Sequence, residues 1–342
     1  MMIKRSFYPQ IAVGALIFVA TTVATAHVSP LFARGNQIVN SNGNPVLLRG
    51  VDCASMEWTS DGQGHILKTV EVAIHDWHAN IIRLPLCQDR WFGKAPEQHG
   101  NDKPYRALIH KIVNECIQGN CYIVLDMHWN DEDQWGKNIG QHKMPDMHTA
   151  QFWRSFSPVY KNIPNVIFDL YNEPHNVSWN VWRNGGMVTE KNYRNGKVLS
   201  YKTPGMQKLL NIVRGSGAKN LILAGGLDWA YDMTGILNGY ALKDTHGHGV
   251  AYANHDYNNK NQPVSEWVQE MEAATAKVPV IVSEFGGQGK WLKDTMAAMK
   301  AHHWNWIAWD LHPQAGPDLI SDWNYTPTSD FGTAVKKALA GR

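Results

Sequence analysis

The sequence has no apolar run long enough to cross a bilayer, no Ser/Thr/Pro-rich linker, no block of like charge and no short-period repeat. These absences exclude a polytopic membrane protein, a string of tethered modules and a solenoid. A Gly-rich phosphate loop after the first strand-like run is also missing, which argues against a nucleotide-binding open sheet. Cysteine is scarce, at four in 342 residues, and the spacing of Cys53, Cys87, Cys116 and Cys121 is not that of a zinc site. Sixteen histidines form sequence pairs such as His75/His78 and His302/His303, but none stands in a cysteine or carboxylate set of metal-site spacing, so neither metal nor cofactor is expected.

The first residues read as an export leader. Lys4 and Arg5 precede an apolar run of 13 residues, Ile11 to Val23, and Ala24-Thr25-Ala26 supplies the small residues of a cleavage site. The expected organisation is a signal peptide over 1–26 and one domain over 27–342, secreted to the periplasm or the medium. Removing the leader takes away two of 32 basic residues and no acidic ones, leaving 30 of each sign. A balanced chain of this kind points away from nucleic acid or an anionic membrane and toward a neutral polymer; a monomer is expected. Export also permits disulfides, and Cys53–Cys87 and Cys116–Cys121 are the expected pairs.

What the chain does contain is a repeated alternation. Short apolar runs at Leu47–Val51, Asn80–Leu86, Tyr122–Met127, Val166–Tyr171, Asn220–Ala224, Val250–Asn254, Pro279–Ser283 and Asn305–Trp309 are separated by segments of helical period. Near-continuous apolar character marks strands buried on both faces. Eight such strands with intervening helices predict a (β/α)₈ barrel in the α/β class, preceded by a hairpin around Asn42-Gly43. One helix, between Tyr231 and Leu237, is weakly patterned. Thr149 and Asp330 read as helix start signals.

In such a barrel the functional residues sit at the C-terminal strand ends. There the sequence places Arg83, Asp126-Met127-His128-Trp129, Asn172-Glu173-Pro174, His255-Asp256-Tyr257, Ser283-Glu284-Phe285 and Trp309. Glu173 and Glu284, on the fourth and seventh strands, would face one another across the barrel mouth. Glycoside hydrolysis needs a carboxylic acid and a carboxylate in that relation. The chain also holds fifteen Trp and twelve Tyr. Flat rings in loops suit sugar faces, which makes Trp129, Trp135, Trp179, Trp182 and Trp323 candidates for stacking.

With these residues in place the chain resembles glycoside hydrolase family five, the cellulase family, from about Gln37 to Leu339. Leu48-Arg49-Gly50-Val51, Asn80-Ile81-Ile82-Arg83-Leu84-Pro85 and Leu125-Asp126-Met127-His128 resemble its first three strands. The family's marker positions have counterparts at Arg83, His128, Asn172, Glu173, His255, Tyr257, Glu284 and Trp309. Asp52 departs from the pattern, since many members have Asn there.

The resemblance implies retention, with Glu284 as nucleophile and Glu173 as acid/base. It implies that Arg83 and Tyr257 orient Glu284, that Asn172 meets the sugar 2-hydroxyl, and that His128 and His255 meet other hydroxyls of that sugar. Trp309 would form the floor beneath it. Arg83 has an alternative reading, in which it pairs with Asp126 or Asp169 inside the barrel. The substrate expected is a β-linked polysaccharide or oligosaccharide cut by an endo-β-1,4-glucanase, with β-mannanase as the alternative. Two other classes, a non-catalytic sugar-binding barrel and a metal-dependent deacetylase, are opposed by the intact carboxylate pair and the missing ligand set.

Overall fold

The computed structural model describes residues 28–191, 196–260 and 262–341. The expected leader lies outside the described residues. Eight parallel strands close into a barrel in sequence order: β1 (Arg49–Asp52), β2 (Ile81–Cys87), β3 (Tyr122–Trp129), β4 (Val166–Asp169), β5 (Ile222–Gly225), β6 (Val250–Tyr257), β7 (Val280–Gly286) and β8 (Asn305–Ala308). Helices such as Ile66–His75, Lys103–Gln118, Met147–Tyr160 and Gly289–Ala301 lie between them.

Period-two alternation sorts each strand's side chains between two cores. Ile82, Leu84, Leu125 and Phe168 face outward and join the layer packed under the helices. Ile81, Val124, Ile167, Leu223, Ala253, Ile281 and Ile307 face inward and fill the barrel's lower half. The same inward parity, two residues further along, carries Arg83, Asp126 and Asp169, all fully buried. The barrel interior therefore changes from hydrocarbon to charge along its axis. Leu31 and Ile38 from the N-terminal segment pack into the apolar end and close it.

The N-terminal hairpin is built differently from the sequence expectation. Its strands are Phe32–Arg34 and Gln37–Val39, which reverse at Gly35-Asn36. The chain also turns at Asn42-Gly43, where φ is +82° at the glycine, but there only Val39 and Pro45 pair as a bridge. Thr149 is not the cap of its helix. Asp146 holds that position, accepting from the Thr149 amide at 2.8 Å, while the Thr149 hydroxyl bonds back to the Asp146 amide at 3.3 Å. The box of reciprocal bonds starts the helix one turn early. In place of the weak helix stands a single π-type turn, Ile236–Tyr240.

The expected disulfides are absent: among the described residues no disulfide joins Cys53, Cys87, Cys116 or Cys121. Register explains the first pair. Asp52 pairs with Arg83, so Cys53 lies beside Leu84, three residues short of Cys87. At roughly 3.3 Å per residue that offset is about 10 Å, beyond the roughly 7 Å Cα limit for a bridge. Cys116 and Cys121 do meet, through a backbone hydrogen bond of 2.9 Å.

A further element had no sequence counterpart. After β4 the chain forms an antiparallel hairpin, Gly186–Lys191 with Val198–Thr203, standing beside the long loop that follows β3.

Candidate active site

Arg83 is the centre of the polar layer. Its guanidinium donates to Glu284 at 2.6 Å, Asp52 at 3.0 Å, Asn172 Oδ1 at 2.6 Å and Asp169 at 3.4 Å, and pairs with Asp126 at 3.0 Å. Burial opposes its charge, but Asp126, Glu284, Asp52 and Asp169 together outweigh burial and hold it firmly protonated. The two readings of Arg83 are thus both realised, since one side chain serves the interior acids and Glu284 at once.

Glu284 ends β7 with both oxygens engaged. Arg83 holds Oε1, and the Tyr257 hydroxyl donates to Oε2 at 2.6 Å. Charge-assisted bonds of that length favour and orient a carboxylate. Glu173, four residues past β4, contacts His255 Nδ1 through Oε1 at 2.8 Å. Burial pushes its carboxyl up to about 7, with partial relief from the positive charges of Arg83 and Lys260. A shift in register between Asn254 and His255 bends β6 and lets His255 reach both glutamates, Glu284 Oε2 lying 3.4 Å away. One oxygen of each glutamate and the His255 nitrogen fall within 4.8 Å of one another.

The remaining polar groups are arranged around this pair. His128 Nδ1 contacts Asp126 at 2.6 Å, and its ring lies nearly parallel to Trp309, 16° between planes. Asn172 Nδ2 contacts His128 Nε2 at 3.2 Å and Gln141 Oε1 at 3.1 Å. His255 Nε2 contacts the Ser283 hydroxyl at 3.0 Å. Burial, the main cause in each, pushes His128 and His255 down to about 3, so both are neutral at any ordinary pH.

The cleft above has a volume of about 1060 Å³, and Glu173, Glu284, Tyr257, Trp229 and Trp309 line it. Of the loop tryptophans expected there, none joins this lining. Trp182 is wholly buried and donates to the Gly225 carbonyl at 2.9 Å. Trp179 packs edge-on against Trp182, with Gly235 close against its ring. Trp135 stacks on His148 at 3.6 Å, and Trp129 leans on Trp58 at 6.3 Å. Trp323 stacks on His65 at 4.0 Å. Trp229 was missed, although it follows β5 by four residues as strand-end reading would require. It is 37% exposed, stacks on His175 at 4.4 Å and carries Lys260 Nζ 5.4 Å from its ring centre.

Histidines do join carboxylates in space, contrary to the sequence expectation. Among the described residues three sets could converge on a cation: Glu173/His255/Glu284, Asp131/Asp146/His148 and Glu132/His142/Glu190. In the second, Asp146 already accepts from Gln88, Thr149 and the Asp131 and Asp133 amides, which leaves its lone pairs occupied.

A closed parallel barrel whose polar mouth holds two opposed glutamates, one tightly hydrogen-bonded and one carried toward neutrality by burial, has the make-up of a (β/α)₈ glycoside hydrolase. The model of the Cellulase family, glycosyl hydrolase family 5, matches residues 39–315, and the chain belongs to that family. Among curated relatives it is 23% identical over 314 residues to endoglucanase MaCel5A of Microbulbifer sp., covering 88% of this chain and 51% of that protein. It is 21% identical to endoglucanase E-5 of Thermobifida fusca, covering 74% and 47%. The chain thus spans about half the length of these relatives. A solved β-glucanase of Saccharophagus degradans, in complex with cellotetraose, shares the fold with a TM-score of 0.73 at 22% identity, covering 92% of this chain and 94% of that one. A Streptomyces mannanase catalytic domain shares it with a TM-score of 0.64 at 17% identity, covering 98% and 96%.

Proposed function

We propose that this chain is a retaining endo-β-1,4-glucanase working by double displacement, with Glu284 as nucleophile and Glu173 as acid/base. The observation that carries the reading is the separation of the two carboxyls. With one oxygen of each within 4.8 Å of the other, the pair fits the roughly 5 Å spacing of retaining enzymes. An inverting enzyme, which seats a water between its carboxyls, holds them roughly 6.5–9.5 Å apart.

In the first step a Glu284 oxygen bonds to the anomeric carbon while the glycosidic C–O bond breaks. The Glu173 proton goes to the departing oxygen. In the second step Glu173 takes a proton from water, whose oxygen displaces Glu284 and restores the β configuration. Arg83 and Tyr257 hold the nucleophile in place as its charge is lost and regained. Asn172 and His128, which line the cleft, are set to meet sugar hydroxyls. His255, buried with one ring nitrogen on Glu173 and the other on Ser283, orients the acid instead. Trp309 and Trp229 offer rings for stacking. A β-1,4-glucan is favoured by the endoglucanase relatives and by the cellotetraose-binding neighbour. Residues 1–26 fit export of the enzyme to where such a polymer is found.

The test is a substrate panel. Carboxymethylcellulose and soluble β-glucan should release reducing ends fastest, ahead of glucomannan, mannan and xylan, and early products followed by proton NMR should be β-anomers. Rapid cutting of mannan with none of β-1,4-glucan would replace glucanase by mannanase. An α-anomer would remove the retaining mechanism.

The pH dependence follows from the acid's environment. Glu173 must be protonated for the first step, so kcat/KM should be full below and lost as pH rises through about 7, the value to which burial carries this carboxyl. With an aryl glycoside whose phenol leaves unaided, the same limb should vanish. A limb that persists unchanged on that substrate would assign it to another group.

A further inference from the structure

We propose that Glu132, His142 and Glu190 form a binding site for Zn²⁺, which clamps the hairpin after β4 onto the long loop after β3. Glu132 and His142 belong to that loop, and Glu190 lies in the hairpin strand Gly186–Lys191. One ligand atom from each falls within 4.8 Å of the others. His142 Nδ1 lies 3.3 Å from Glu190 Oε1 and 3.8 Å from Glu132 Oε1. Around a tetrahedral ion with arms of about 2.1 Å, neighbouring donors stand roughly 3.4 Å apart. The three groups need only a small inward adjustment to meet that spacing.

The orientation of the ring points the same way. His142 Nε2 contacts the Asn138 carbonyl at 2.6 Å, and a carbonyl only accepts, so Nε2 carries the hydrogen. Nδ1 faces two carboxylates, which also only accept, so without an ion that nitrogen too carries a hydrogen, and Zn²⁺ would take that hydrogen's place. A ring N–H given to a backbone carbonyl is how metal-bound histidines are usually oriented. The glutamates show a matching division of labour. Glu132 Oε2 accepts from Asn138 Nδ2 at 3.2 Å, and Glu190 Oε2 accepts from the Lys143 amide at 3.1 Å. Their other oxygens turn toward His142.

A second observation separates this set from an ordinary acidic cluster. Glu132 is 3% exposed, and its Oε1 accepts no hydrogen bond. A buried carboxylate oxygen in that state has given up its hydration without a hydrogen bond to replace it. It is aimed at the point where the other two ligand atoms converge. Two carboxylates and an imidazole form a borderline-hard set suited to Zn²⁺, with a fourth position open. The site adjoins the catalytic groups through Gln141, which accepts from Asn172 Nδ2 at 3.1 Å and donates to the Glu173 carbonyl at 3.1 Å.

The test uses the whole chain, stripped with chelator and titrated with Zn²⁺ by calorimetry, with thermal melting in parallel. One equivalent should bind and raise the Tm. Glu132→Gln and Glu190→Gln should each weaken binding by at least about 10-fold and lose the rise in Tm. Absence of uptake at millimolar Zn²⁺ would overturn the proposal and leave a shared proton as the occupant. Equal binding by wild type and both variants would also overturn it, by placing the ion elsewhere, for instance at Glu173/His255/Glu284. Should the variants not fold, crystals of the wild type soaked in Zn²⁺ decide: anomalous density beside His142 Nδ1 supports the site, and density only elsewhere rejects it.

Discussion

Glu284→Ala should lose on the order of 10⁴-fold or more in kcat and, given azide and an activated β-aryl glucoside, should yield an α-glucosyl azide. The reason is geometric. With the nucleophile gone, azide enters the vacated face directly, and one displacement inverts the anomeric centre. Glu173→Ala should behave differently on the same substrate. A good leaving group needs no proton, so Glu284 still forms the glycosyl-enzyme, which then stalls because no base activates water. Azide needs no base and should restore turnover with a β-product, the net result of two inversions. Anomeric analysis by NMR of the two azides checks both at once. Exchanged products would exchange the roles of the strand-four and strand-seven glutamates.

Arg83→Met should cost both fold and activity. The substitution keeps much of the side chain's length but leaves Asp52, Asp126, Asp169 and Glu284 facing one another without a cation. Removing one partner from a buried ionic cluster costs about 3–5 kcal/mol. Burial already raises Asp126 to about 7 and carries Asp52 and Asp169 well above the ordinary range, while Arg83 holds all three down. Raised carboxyls contribute stability at low pH, and it is lost as pH climbs from about 4 through the folded-state value. The variant should therefore be nearest to wild type around pH 5 and fall furthest behind above pH 7. Arg83→Lys keeps the charge but not the fork, and should recover part of the stability while remaining about 10²–10³-fold down in kcat. Urea denaturation of all three proteins at two pH values checks the stability ordering. Wild-type kcat in the lysine variant would show that orientation of Glu284 does not depend on the guanidinium.

The barrel was legible because its strands are buried on both faces, so that runs such as Ile81–Cys87 and Val280–Gly286 carry apolar residues at nearly every inward and outward position. Strand ends then pointed to Glu173, Glu284, Arg83, His128, Asn172, His255, Tyr257 and Trp309, which the structure does bring together. The cysteine pairing failed for want of register: neighbouring strands are readable from order, but a three-residue offset along them is not. The loop tryptophans failed because ring chemistry is the same in a core as in a cleft. Trp182 is buried in the short helix Trp179–Asn184, just ahead of the hairpin that follows β4, an element whose alternation in Val198–Thr203 is diluted by solvent-facing polar residues. Carboxylate–histidine sets such as Glu132/His142/Glu190 escape a reading of sequence spacing, because a hairpin far along the chain supplies the third member.

Asp228, Trp229 and Ala230 have φ values of +51°, +57° and +62°, three left-handed residues in succession without a glycine. Each such residue costs on the order of 1–2 kcal/mol. The Asp228–Lys260 ion pair and the packing of Trp229 on His175 hold the run in place. Under the proposed function, the ordering of the Trp229 ring takes place when the polypeptide folds, well before a glucan arrives, so the rotational freedom a loose loop would surrender on binding is not charged against affinity. The segment works as a loaded spring that the body of the barrel keeps compressed, and the sugar meets a surface already at rest.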